Sequence, residues 1–187
     1  MPGKPKTRHP VTQPLNESYR FIPLTRGQNA IVDASDFDWL SKRSWYAYWC
    51  PKTRSFIAGR VGRTTRGEKH STINMAREIL GLRPGNPLNA DHKNHNTLDN
   101  RRENLRKCRV GQNTRNRRKH TLTSGGKFKG IYWRRERGYW IAQIQIQKQG
   151  KRKTVHIGRF FDAVAAAKAY DEAAKRLHGE FASLNFS

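Results

Sequence analysis

The clearest periodicity in the chain runs from Ile141 to Gln147, where Ala142, Ile144 and Ile146 take one set of alternate positions and Gln143, Gln145 and Gln147 the other. Strict period two marks a strand with one buried and one presented face. Gly130 to Arg134 alternates similarly, predicting Ile131 and Trp133 inward and Tyr132 and Arg134 outward, and Thr154 to Ile157 sets Thr154 and His156 on the outer face. A helix follows, with Asp162 a suitable N-cap and Gly179 a suitable C-cap. Its small stripe of Ala166, Ala169, Ala173 and Leu177, with Tyr170, is expected against the inner face of the sheet. Residues 127–187 therefore read as three antiparallel strands packed on one helix.

Upstream, residues 19–82 alternate in short runs such as Tyr19-Arg20-Phe21-Ile22 and Trp45-Tyr46-Ala47-Tyr48-Trp49, which predicts a strand-rich subdomain. Trp39, Trp45, Tyr46, Tyr48 and Trp49 read as its core rather than as a base-stacking surface. Ile73, Ala76, Ile79 and Leu80, followed by Gly81, predict a short helix. The fold class is α+β. Residues 1–18 read as a flexible basic tail and 121–126, small and Gly-rich, as a linker between a domain at 19–120 and one at 127–187.

Charge narrows the partner. The 187 residues carry 38 Lys and Arg against 14 Asp and Glu, a formal +24, which concentrates polyanions at the surface. The densest run lies at 101–119, where nine of nineteen residues are basic and Glu103 is the sole acid. Arg115, Arg117 and Arg118 in that run are candidate DNA contacts. No stretch approaches the ~20 apolar residues of a spanning helix, and no basic amphipathic helix suggests a membrane surface. Cys50 and Cys108 lack Cys-x-x-Cys partners, so neither a disulfide framework nor structural zinc is expected. The opening MPGKPKTRHPVTQP has no apolar core and does not read as a secretory signal, which makes a cytoplasmic location the expectation.

The candidate chemistry lies in ADHKNHNTLDNRRENLRKCRVGQNTRN, residues 90–116. Asp91-His92 is followed twelve residues later by Asn104 and nine after that by Asn113. A histidine can be a neutral base near pH 7, and an adjacent carboxylate can hold a hard divalent cation. His95 reads as part of a polar loop, and Asp99-Asn100 as an Asx-type turn. With Leu98-Asp99-Asn100-Arg101 and Glu103-Asn104-Leu105-Arg106 inside it, the register resembles the HNH endonucleases of phages and mobile introns. That resemblance implies two strands, a connecting loop and a helix around one metal ion, a ββα-metal core at about 88–118. It implies Asp91 and Asn113 as metal ligands, His92 as general base and Asn104 in the loop, the last two forming the catalytic set. It further implies Mg²⁺, with Mn²⁺ a substitute, and a homing-type or free-standing phage enzyme acting in a bacterial host. Asn113 stands where many relatives carry a last histidine.

The C-terminal phrases Gly138-Tyr139-Trp140, Ile157-Gly158, Ala169-Tyr170-Asp171, Ala173-Ala174 and Leu184-Asn185-Phe186, with Gly130 and Gly179, resemble the plant Apetala/ethylene-response-factor DNA-binding domain over about sixty residues. That resemblance implies a sheet lying in the major groove of double-stranded DNA, with Lys129, Tyr132, Arg134, Arg135, Gln143, Gln145, Thr154 and His156 as contacts. Gln143 and Gln145 depart from the Glu and Arg usual there, and glutamine can pair bidentately with adenine. The reading is a site-directed, metal-dependent DNA endonuclease. A DNA-binding regulator without catalysis, and an RNA-binding protein, are the alternatives.

Overall fold

The computed structural model describes residues 7–15, 18–62, 71–115, 127–148 and 150–186. The chain divides into two compact units, Met1–Arg109 and Val110–Ser187, so the division falls ahead of the expected domain end at 120. The expected linker, 121–126, and Arg117 and Arg118 lie outside the described residues.

In the first unit, β1 (Tyr19–Pro23) and β2 (Asn29–Asp33) form an antiparallel hairpin that leads into α1 (Ala34–Ser41). β3 (Tyr46–Cys50), β4 (Ser55–Val61) and β5 (Thr72–Asn74) make an antiparallel meander. α2 (Met75–Ile79) begins where the Asn74 side chain accepts from the Ala76 N–H, and the hairpin of β6 (Asn89–His92) and β7 (Leu105–Cys108) follows. Their shared core holds Ile22, Leu24, Val32, Leu40, Trp45, Met75 and Leu105.

Three expectations change here. The alternation over 19–82 gave no sign of α1, which is short, sets only Asp36 and Leu40 fully inside, and so lacks an apolar stripe. Of the five aromatics assigned to the core, Trp45 is fully buried and donates its indole N–H to the Leu40 carbonyl at 2.8 Å. Trp49, at the end of β3, is 46% exposed and meets Phe56 edge-on across the β3–β4 pair. Part of the expected flexible tail is held in place. The Arg8 Nε donates to the Trp45 carbonyl at 2.7 Å, and the Gln13 amide pairs with both backbone groups of Phe21.

In the second unit, α3 (Val110–Arg115) precedes β8 (Ile131–Arg134), β9 (Tyr139–Lys148) and β10 (Lys151–Phe160), an antiparallel sheet of order β10-β9-β8. α4 (Ala163–His178) packs on it. The Asp162 carboxylate accepts from the Ala165 N–H at 2.6 Å, and Gly179 ends the helix, as the capping residues predict. The buried stripe is turned relative to the expected one: Ala166, Ala167, Tyr170, Ala173, Ala174 and His178 are inside, while Leu177 is 37% exposed. Four alanines line the face of the helix toward the sheet, and the turn of the stripe puts His178, whose Nε2 lies 3.1 Å from the Gln145 carbonyl, inside in place of Leu177. Trp133, on the short outer strand β8, is likewise 41% exposed, while its row neighbours Trp140 and Phe160 pack against the core.

Two features lock this unit. Asp171, buried on α4, accepts from the Asn185 N–H, the Asn185 side-chain amide and the Phe186 N–H at 2.9–3.0 Å, while Asn185 also pairs with both backbone groups of Lys129. The C-terminal segment is thereby tied to the helix and to the entry of β8. Gly130 has φ +78°, and a Cβ there would lie 1.9 Å from the Tyr170 ring. Gly130→Ala should therefore destabilise the second unit by roughly 3 kcal/mol or more, since left-handed strain and a backbone-against-ring clash add. Urea unfolding of the full chain, followed by tryptophan fluorescence, measures this loss.

Candidate functional site

The first candidate site is the end of the β6–β7 hairpin. Asp91 and His92 are the last residues of β6, directly opposite Arg106 and Leu105 of β7. Both are buried, Asp91 at 6% and His92 at 9% exposure. Burial pushes the His92 imidazole below its usual range, against upward pulls from Asn100, Asp91 and Asp99, so the ring is neutral at pH 7. The Asp91 Oδ2 accepts from the Arg106 Nε at 2.8 Å and lies 2.7 Å from its Nη2.

The connection from Lys93 to Asn104 is fixed by polar contacts. The Asn104 Oδ1 accepts from the Asn94 N–H at 2.9 Å, and its Nδ2 donates to the Asp99 carbonyl at 2.7 Å. Asn104, expected in the catalytic set, thus has both ends of its amide engaged by the loop's own backbone. Asp99 takes the Arg101 guanidinium at 2.8 and 2.9 Å and the Asn94 amide at 2.9 Å. Burial raises the Asp99 carboxyl, but the Arg101 contacts outweigh it and hold the group below its usual value. The bond from the Arg101 N–H to Asp99 Oδ1, at 3.4 Å, matches the expected Asx turn. His95 sits in the left-handed region at φ +64°, within the loop as read.

Two residues outside the predicted set touch the predicted ones. Asn100, 1% exposed, presents its Oδ1 to the His92 Nε2 at 3.3 Å, and Arg106 pairs with Asp91. Sequence spacing marked neither, since both contacts depend on strand register and loop path. Register also changes the electrostatic reading of residues 101–119: Arg101, Arg102 and Arg106 are paired with Asp99, Asp36 and Asp91. Those three belong to the architecture of the loop before they belong to any phosphate.

As a metal ligand, Asp91 offers the hard carboxylate oxygen that Mg²⁺ or Mn²⁺ takes. Its negative charge is partly balanced by Arg106, which fits a weakly held cation better than a tightly held one. Among the described residues, no group of three or more His, Cys, Asp or Glu side chains is placed to hold a metal. Asn113 and Arg115 fall on α3 in the second unit, with their side chains outside the described residues.

The second candidate site is the face of the C-terminal sheet turned away from α4. Cross-strand partners point to the same side. Gln143 stands opposite His156, Gln145 opposite Thr154 and Gln147 opposite Arg152, while Tyr132 and Arg159 flank Ile141. A bulge between His156 and Gly158 shifts the alternation so that Arg159 joins this face and Phe160 turns to the helix side. The Arg159 guanidinium lies 5.3 Å from the centre of the Tyr139 ring, opposite Arg134. Gln145, Gln147, Thr154 and His156 are exposed and Gln143 and Tyr132 half-buried. Arg134 and Arg135, the latter in a 3₁₀ turn at Arg135–Arg137, are exposed. Lys129 differs from the other predicted contacts: it is half-buried, and burial brings its ammonium down to about 8 against the pull of Asp171.

No family model matches the chain. It is similar to the dehydration-responsive element-binding protein 2A of Arabidopsis thaliana, with 47% identity over 49 residues, 26% of this chain and 14% of that protein. The protein of the same name from Oryza sativa subsp. indica is 42% identical over 50 residues, 27% of this chain and 18% of the relative. The chain thus spans under a fifth of the length of these curated relatives. Neither is named as a nuclease.

Asn104→Ala would leave the Asn94 N–H and the Asp99 carbonyl without the side chain that joins them. The first unit should lose roughly 1–3 kcal/mol, the cost of stranding the buried Asp99 carbonyl, since Asn94 is exposed and its N–H can turn to water. Denaturant titration against wild type reads the loss directly.

Proposed function

We propose that the chain binds double-stranded DNA in a sequence-dependent manner through the outer face of its C-terminal sheet. The observation that carries this reading is the register that collects Gln143, Gln145, Thr154, His156, Tyr132 and Arg134 on one face. Similarity over about a quarter of the chain to two plant proteins named as element-binding supports it. The flanking Lys151, Arg152, Lys153 and Arg159 supply charge for phosphates, which gives affinity without sequence information. The two glutamines supply amides that can each pair with one adenine edge, so they carry discrimination rather than bulk affinity. Tyr132 and Thr154 add contacts of either polarity.

Gln145→Ala should lower affinity for a duplex selected from a random pool by about 1–3 kcal/mol and leave binding to unrelated duplex unchanged. Titrations at one stated salt concentration, with structured RNA as competitor, measure it. Equal affinity for every duplex, or preference for the RNA, would sink the reading.

A second reading is favoured by one observation, the buried imidazole of His92 beside Asp91 at the start of a loop fixed by Asn104. In this reading the first unit hydrolyses a DNA phosphodiester. His92 takes a proton from water, the water oxygen bonds to phosphorus, the ester P–O bond breaks, and the leaving oxygen takes a proton from solvent. Asp91 would offer its carboxylate to a divalent cation, Mg²⁺ or Mn²⁺, which when bound would supply charge neutralisation on the phosphate. The resemblance to HNH endonucleases supports it, and a homing-type or phage enzyme is the biological form it takes.

His92→Ala should slow cleavage of supercoiled plasmid by about 10²–10⁴-fold, with DNA affinity retained, and a chelator should stop the wild type. Tight binding by both proteins with no metal-dependent cleavage by either would leave the chain a DNA-binding regulator.

A further inference from the structure

The alternation along β3 separates its aromatic side chains. Trp45 and Ala47 turn to the core, while Tyr46 and Tyr48 turn to the opposite face of the meander, which they share with Ile57, Gly59, Val61 and Thr72 of β4 and β5. The sequence pattern predicts both tyrosines in the core; strand register sets them on the other side, half-buried. None of the side chains that β3, β4 and β5 place on this face carries a charge.

The phenols are fixed by bonds that reach across the sheet. The Tyr46 hydroxyl lies 2.9 Å from the Thr72 Oγ1, and the Tyr48 hydroxyl shares a hydrogen bond with the Asn74 side chain. Between them on the central strand is Gly59, where a Cβ would lie 2.8 Å from the Tyr48 Cε1 and 3.0 Å from the Thr72 Cγ2. Tyr48 is therefore laid over the backbone of β4. A ring lying on a sheet turns a π face outward, and Tyr46 stands beside it with ring centres 6.1 Å apart.

Charge borders this strip. Between Asp38 and Glu68 the chain has no acidic residue and seven Lys and Arg, of which Arg60 is paired with Glu78. Lys42 and Arg43 are exposed ahead of β3, and Lys52 is exposed in the turn after it. Uncharged aromatic rings with cations at both ends suit a polyanion whose bases can stack. A duplex keeps its base faces inside its own stack, so the polyanion that fits is unpaired.

We infer that the outer face of β3, β4 and β5 binds single-stranded DNA, with bases stacking on Tyr46 and Tyr48 and phosphates meeting Lys42, Arg43 and Lys52. For the choice of DNA over RNA this rests on the duplex reading above; the site itself is independent of the C-terminal sheet and of hydrolysis. Binding here discriminates little between sequences, because every base has a π face.

The experiment titrates the full chain with fluorescently labelled oligo(dT) and oligo(U), by anisotropy at low and at high salt. Tyr48→Leu keeps an apolar cover over Gly59 but removes the π face, and should weaken oligo(dT) binding by about 5- to 150-fold at high salt, where attraction to phosphates no longer dominates. Tyr48→Phe should bind as wild type, and both variants should keep wild-type affinity for duplex. To locate the site, oligo(dT) carrying 5-iodouracil, which couples to a stacked ring on irradiation, should mark the peptide containing Tyr46 and Tyr48. That crosslink, read on wild type and Tyr48→Phe, decides the matter if the leucine variant does not fold.

Crosslinks confined to the second unit, or a folded Tyr48→Leu variant that binds oligo(dT) as wild type does at both salt concentrations, would overturn the inference. Tighter binding of oligo(U) than of oligo(dT) at this face would overturn the assignment to DNA. Loss of duplex selectivity on Gln145→Ala with these tyrosine results unchanged would leave the two surfaces separate, whereas a failure of the duplex reading shows only in the duplex titrations.

Discussion

The Asn104 side chain closes the loop on which the first unit's candidate site depends. Residues 93–104 make a long connection that would otherwise lose considerable entropy on ordering. They are also polar, and buried polar groups destabilise unless each finds a partner. One amide resolves both problems by joining the Asn94 N–H to the Asp99 carbonyl across the loop. Asp99 then gathers Asn94 and Arg101, and the path this imposes delivers Asn100 to His92. The Thr97 hydroxyl, donating to the Phe56 carbonyl at 2.6 Å, ties the same loop to the meander. A polar network of this kind is stabilising only when complete, which is why Asn104, with no contact to His92 of its own, bears on the geometry around that ring.

The second unit solves a related problem with a buried carboxylate. Asp171 is surrounded by N–H groups of the C-terminal segment, and Asn185 carries the link onward to Lys129 at the entry to β8. With the segment tied down, alanines on α4 and the slot at Gly130 let the helix sit close, and the inner face is filled without large side chains. The outer face is then released from packing duty and can hold glutamine, threonine and histidine in fixed cross-strand pairs. A reading surface set by register before any ligand arrives loses less ordering entropy on binding.

Much of this was legible in the sequence wherever a single local rule sufficed. The glutamine alternation places β9, Asp162 and Gly179 bracket α4, and Gly81 follows α2. Rules of that kind fail where the outcome depends on a distant element. Leu177 and Trp133 obey the inward period yet are 37% and 41% exposed, because the helix turns Ala174 and His178 inward and β8 is an outer strand of the sheet. α1 has no stripe of its own, and its buried Asp36 is intelligible only with Arg102 beside it. In the candidate site, Asp91 and His92 could be picked out by chemistry, but Asn100 reads locally as half of an Asx turn. Its backbone bond to Ile31, far back in the chain, and its side-chain bond to the Leu98 carbonyl together place its oxygen by the imidazole.

The arginine pairs bear on how affinity and selectivity are divided. The basic run at 101–119 reads in sequence as a phosphate-binding surface around the candidate catalytic residues, but Arg101, Arg102 and Arg106 each face a carboxylate at 2.7–2.8 Å. An arginine so engaged gains less from a phosphate, because the carboxylate it leaves must be desolvated alone. Attraction for polyanions therefore rests on the remaining excess of charge, including the exposed basic residues of β10. That attraction falls with salt and does not distinguish one duplex from another. Discrimination between duplexes requires uncharged side chains with fixed direction, and the outer face of the second unit's sheet holds Gln143, Gln145 and Thr154 in register.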